Sequence, residues 1–253
     1  LTLATGSNPA VISMVSGSGS ANLYFDYLIR AGDNSNRLDY QSTSAFGLNG
    51  AIIKDLAGNT AVVTLPATAS TNSLFGQKQL AVDTIAPTIS NVTSTTTSAS
   101  YKAGTSINVQ LALSEIVYVT GTPRIQLATG VANRYATYSS GSGTATLNFT
   151  YSVGAGDTSS DLDYISSSAL GTNGGTIRDL AGNDTTLTLA APGAQYSLSF
   201  NKNIILDTTA PTIVSVSSST PNGVYSQGSD IYIQINFSET VFASGALSLS
   251  LNA

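Results

Sequence analysis

Acidic side chains recur at a fixed interval along this chain and are its main chemical resource. Asp33, Asp39, Asp55, Asp83 and Glu115 return as Asp157, Asp163, Asp179, Asp207 and Glu239, each after the same shift (207 − 83 = 124). Carboxylates are the hard oxygen donors that calcium gathers, roughly six to eight oxygens at a time with carbonyls and water. In a chain with only 9% charged residues, acids kept at matching loop positions are candidate ligands. A turn role competes. The Asp of Asp-x-Ala-Gly-Asn accepts amide hydrogen bonds within its own turn, while Gly182 and Asn183 supply left-handed backbone. Both roles can sit on one side chain. The segment 156–164 offers a second candidate calcium loop, in which Asp157, Asp161 and Asp163 bring three carboxylates together. Its counterpart carries Arg37 in place of Asp161, which favours hydrogen bonding inside the loop for Asp157 and Asp163.

Other chemistries have little to work with. His and Cys are absent, which removes the usual general base, the usual proton shuttle, thiolate metal sites and disulfides. Ser and Thr abound, but no activating lysine or carboxylate pairs with them, so the chain reads as non-enzymatic. Paired acids could in principle hydrolyse a glycoside, yet the repeated acids fall at turns and joints. A net charge of −5 argues against a nucleic-acid surface. No apolar run approaches the roughly twenty residues that span a bilayer, so the chain is expected to be soluble. It opens on Leu1 without a signal-peptide pattern, as a piece of a longer protein would.

The elements that must position these acids are strands. Ile107, Val109, Leu111 and Leu113 alternate with Asn108, Gln110 and Ala112, and Ile231, Ile233, Ile235 and Phe237 repeat the pattern. Further strands are expected over 88–92, 124–128, 134–138, 144–152, 187–189 and 197–206, with a short turn over 166–170. Seven or more short strands per hundred-odd residues predict an all-β chain of antiparallel sandwiches. Asp83 to Pro87 and Asp207 to Pro211 mark stiff joints, because proline fixes the backbone and lacks an amide donor. Residues 1–82 then form the later part of one module, 83–206 a complete module, and 207–253 the opening of a third. Tyr40 and Tyr164 are expected to pack their rings and bond their hydroxyls to backbone.

Phe237-Ser238-Glu239, Asp179-Leu180-Ala181-Gly182-Asn183 and Asp207-Thr208-Thr209-Ala210-Pro211-Thr212 occur together in this order. The combination resembles the bacterial immunoglobulin-like (Big-type) tandem repeats of large extracellular adhesins and surface proteins, and the likeness covers the whole chain. It implies tandem immunoglobulin-like sandwiches, one complete and two partial, at the bacterial surface or secreted. Their role would be that of a spacer or stalk whose partners are neighbouring modules of the same or an adjacent chain, with host or surface glycans met through another region. It also implies calcium at the joints, where Asp83 and Glu115 would meet the loop around Asp55, and Asp207 and Glu239 the loop around Asp179. Two other functions stay open. The partial modules could complete one another between chains, making a fibre or S-layer subunit, or exposed Tyr118, Tyr135 and Tyr138 could grip carbohydrate.

Overall fold

A computed structural model describes residues 1–130 and 132–252. Secondary structure is almost entirely β. The first 82 residues hold β1 (Thr2–Leu3), β2 (Ala10–Val11), β3 (Met14–Ser16), β4 (Tyr24–Phe25) and one turn of helix, α1 (Leu74–Gln77). Nine strands follow: β5 (Ile89–Thr93), β6 (Ala99–Tyr101), β7 (Ser106–Thr120), β8 (Arg124–Leu127), β9 (Arg134–Ser140), β10 (Thr144–Ser152), β11 (Leu170–Gly171), β12 (Thr176–Arg178) and β13 (Ile204–Leu206). A second helical turn, α2 (Leu198–Asn201), precedes β13, and β14 (Ile213–Ser218) and β15 (Ile233–Phe237) complete the order. No helix among the described residues is long and apolar enough to cross a membrane.

The strand predicted over 144–152 forms as read. The one predicted over 197–206 does not. Ser197 accepts a hydrogen bond from the amide of Phe200 and so caps α2, and Ser73 does the same for Gly76 ahead of α1. Extended backbone resumes only at β13. The predicted strand over 187–189 joins no ladder, although Leu189 is buried; an isolated bridge between Thr88 and Thr186 stands beside it.

One seven-stranded sheet runs β11-β8-β9-β10-β7-β12, and β5 pairs with the other side of β7. The alternation read from the sequence decides which face of β7 is inside. Ile107, Val109, Leu111 and Val117 are fully buried, whereas Gln110 on the opposite face bonds Asn148 across the sheet at 2.8 Å. Each such aliphatic side chain contributes about 1.5–3 kcal/mol by leaving water. The core splits at the first joint: one buried cluster lies within residues 92–206, and a smaller one joins Leu3, Leu38, Tyr40, Ala45 and Val82.

The hairpin between β9 and β10 turns on Gly141, whose φ is +112°. A Cβ there would lie 2.1 Å from the carbonyl oxygen of Thr146, backbone that cannot swing aside. Gly143 also has positive φ, +82°, but faces open space. Gly141→Ala should therefore destabilise by about 2–4 kcal/mol and Gly143→Ala by only about 1 kcal/mol. Thermal unfolding followed by circular dichroism separates them, and equal losses would count against this geometry.

Candidate cation site at the joint

The joint at 83–88 is held from both sides, and the residue types in it explain why. Thr84 Oγ1 accepts from the amide of Gly32 at 3.0 Å and donates to the carbonyl of Asp33 at 3.0 Å, clasping a loop of the preceding segment. Thr208 makes the same pair with Gly156 and Asp157, at 3.1 and 3.0 Å. Asp83 closes a small turn by accepting from the amide of Ile85. From the following segment, Asn183 Nδ2 donates to the carbonyls of Asp83 and Ile85, and the Thr186 amide donates to Pro87. Asp-Thr-x-Ala-Pro is thus a clasp: the threonine grips what comes before, and the backbone carbonyls receive what comes after.

Glu115 reaches this joint through an irregularity in β7. Between Ala112 and Val117 the strand advances five residues while β10 advances only from Thr146 to Thr144, so 113–116 bulge on that side. A bulge re-aims side chains at a sheet edge. Ser114 pins it: its Oγ accepts from the amide of Thr88 at 2.9 Å, and its own amide donates to the carbonyl of Thr88. Ser238 and Thr212 repeat both bonds, so the Ser of each Ser-Glu pair fixes the bulge and the Glu follows.

Asp179 arrives on the hairpin after β12, which pairs with the last three residues of β7. Its Oδ1 accepts from the amides of Gly182 and Asn183, at 2.7 and 2.8 Å, and its Oδ2 from Asn183 Nδ2 at 2.7 Å. Gly182, at φ +97°, makes that turn possible. The turn role expected for Asp179 is therefore met in full, and its carboxylate is buried.

Together these elements bring carboxylate oxygens of Asp83, Glu115 and Asp179 within 4.8 Å of one another. Neither ion pair found among the described residues, Arg134 with Asp157 or Arg178 with Asp184, neutralises them. Burial first, and then the charges of Asp83 and Asp179, push Glu115 above the ordinary glutamate range. No protein donor bonds Glu115 among the described residues, which leaves its oxygens free for a cation. The donor set is all oxygen and acidic, and it fits calcium.

The structure regroups the acids predicted at the joints. Asp83 and Glu115 meet Asp179, from the same module, rather than Asp55. Asp55 accepts from the amide and side chain of Asn59 in an identical but exposed turn. Asp207 accepts from Thr209, and both it and Glu239 are exposed. In the repeat, the third partner of Asp207 and Glu239 stands after residue 253, and the two partners of Asp55 stand before residue 1.

The second candidate loop is bound up internally. Asp157 is buried and accepts from Tyr151 Oη at 2.6 Å, the Gly154 amide at 2.7 Å and Arg134 Nε at 3.0 Å. Asp163 accepts from the amides of Tyr164 and Gly193 and from Ser199 Oγ, while Asp161 stays exposed. Tyr40 and Tyr164 are buried and donate to the carbonyls of Pro66 and Ala190. Among the tyrosines considered for carbohydrate, Tyr138 packs edge-on against Phe149 and accepts from the Ser142 amide, so the hairpin uses it. Tyr118 and Tyr135 are exposed, with Arg124 stacked on Tyr135 at 4.1 Å. Sequence reasoning missed the clasping Thr84 and Thr208 and the pinning Ser114. All three lie inside the repeated motifs, where repetition was the available signal.

Fold and site define an all-β chain with a doubly tied joint and an acidic cluster beside it. No protein-family profile, characterised protein or solved structure matches the chain.

Proposed function

We propose that this chain is a non-enzymatic spacer segment of a large bacterial surface or secreted protein. It is a row of immunoglobulin-like sandwiches joined at 83–87 and 207–211, with calcium stiffening the joints. The observation that carries this reading is the first joint, where one short segment is clasped by the loop before it, tied to the hairpin after it, and flanked by three uncompensated carboxylates. Such a joint transmits direction from one unit to the next. Length then follows from copy number and stiffness from the joints.

Asp83, Glu115 and Asp179 would hold the ion, which supplies positive charge to draw the joint strand, the β7 bulge and the hairpin together. Affinity of about 10⁻⁴–10⁻³ M suits an extracellular site that stays loaded. The test is small-angle scattering in calcium and in chelator. Calcium should lengthen the maximum dimension and narrow the distance distribution, and Thr84→Val, which frees the Gly32–Asp33 loop, should shorten it in both. An unchanged profile in all four measurements removes the stiffened spacer.

A further inference from the structure

Two faces of this molecule lie open, and the closed unit between them shows what each is shaped to receive. In residues 83–206, Val92, Ile107, Val109, Leu111, Leu113 and Val117 are at most 7% exposed. Their equivalents Val216, Ile231, Ile233, Ile235, Phe237 and Val241 are 38–57% exposed. Across the closed unit, β10 covers this row through Leu147 and Phe149, and β12 through Ile177, all at most 2% exposed. Their equivalents Leu23, Phe25 and Ile53 are half-buried and line a groove of about 400 Å³ with Leu1, Ile12 and Met14. One face is a strand pair without its cover. The other is the cover without its strand pair.

We propose that the occupant of the groove in residues 1–82 is the strand pair of a second copy of this chain. Residues 213–244 of one molecule take the position on the other that 89–120 hold in the closed unit. The repeat fixes the register, because the pairs Val109 with Phe149 and Leu111 with Leu147 become Ile233 with Phe25 and Ile235 with Leu23. A shift of one residue would turn the apolar row outward, so the register is specified by burial. The six exposed side chains of the strand pair alone present roughly 500 Å² of the ~800 Å² per partner that a specific interface requires. Backbone pairing along two sides of 230–244 adds the remainder. Charge does not oppose it, since 207–253 carry three acids and no base while 1–82 carry four of each. The seating needs no cation, but it brings Asp207 and Glu239 of one copy to Asp55 of the other, reproducing the acidic cluster between chains. The contact joins different surfaces on the two molecules, so it is heterologous and propagates as an open row.

Light scattering of the purified chain across a wide concentration range should show mass rising through successive multiples. Ile235→Asp disables the strand pair and Leu23→Asp disables the groove, so each variant alone should be monomeric while melting close to the parent chain. Mixed, they should form a one-to-one heterodimer and stop there, because only one intact strand pair and one intact groove then remain. A single mass at every concentration overturns the proposal, as does a chain whose faces are filled by its own adjoining residues. Self-association of Leu23→Asp alone, which would mean symmetric pairing of β15 edges, also overturns it. Should Leu23→Asp misfold, Phe25→Ser in the same groove repeats the test.

Discussion

Asp157→Ala is expected to cost residues 83–206 about 2–4 kcal/mol, a large part of the ~5–15 kcal/mol that holds a domain together. The loss comes from the donors left behind. Tyr151 is 1% exposed and its hydroxyl, like the amide of Gly154, would have no other acceptor, while Arg134 is half exposed and can turn to water. Burial works against the charge of Asp157, but the bonds from Tyr151, Arg134 and Gly154 outweigh it and hold the carboxyl below the usual range. The folded value thus lies under the unfolded one. The stability it contributes is present above the unfolded value and is lost as pH falls through the folded one. The melting temperature should drop by roughly 10 °C at neutral pH. That difference should shrink in acid, where the parent chain loses the same bonds. Asp33 is bonded by Tyr27 and by the amide of Arg30, but Ala10 stands where Arg134 would be, so Asp33→Ala should cost less. Thermal unfolding of both variants over a pH series checks this, and equal, pH-independent losses would remove the argument.

The contrast between Asp157 and Asp179 shows where sequence reasoning reaches and where it stops. Repetition at a fixed shift identified every acid now found in a bond or cluster, and the Arg37 for Asp161 exchange pointed to internal bonding at Asp157 and Asp163. Alternation identified β7 and β10 with their inward faces. What periodicity could not decide was which copy of the Asp-Leu-Ala-Gly-Asn turn meets Asp83. Asp55 lies nearer along the chain, and both turns satisfy the repeat. The choice is made by non-local pairing: β12 runs along the end of β7, and that ladder carries Asp179 to Glu115. The bulge over 113–116 is equally invisible, because a bulge breaks the period on which strand reading relies. Ser197 inside an otherwise extended run concealed α2 for a related reason, since a one-turn helix is shorter than any periodicity window.

Glu115→Gln should change the melting temperature in opposite directions with and without calcium. Without it, the ionised Glu115 faces Asp83 and Asp179, and its raised value means that the folded state holds the proton more tightly than the unfolded chain does. Stability therefore falls as pH rises through that value, and the neutral amide removes a repulsion worth tenths of a kcal/mol to about 1 kcal/mol. The metal-free variant should melt a few degrees higher, and mild acid should give the parent chain the same gain. With calcium at about a hundredfold over its dissociation constant, binding adds about 2.7 kcal/mol to the parent chain, or roughly 10 °C. The variant has lost one of three carboxylates and should keep little of this. Asp179→Asn would be a poorer choice, because Asp179 also accepts the amides of its own turn. Glu115 has no such second role, since no protein donor bonds it among the described residues. A calcium response lost on its neutralisation therefore belongs to the cation and not to the turn. A calcium-induced shift of equal size in parent and variant would place any bound ion elsewhere and leave the acidic cluster with a structural role alone.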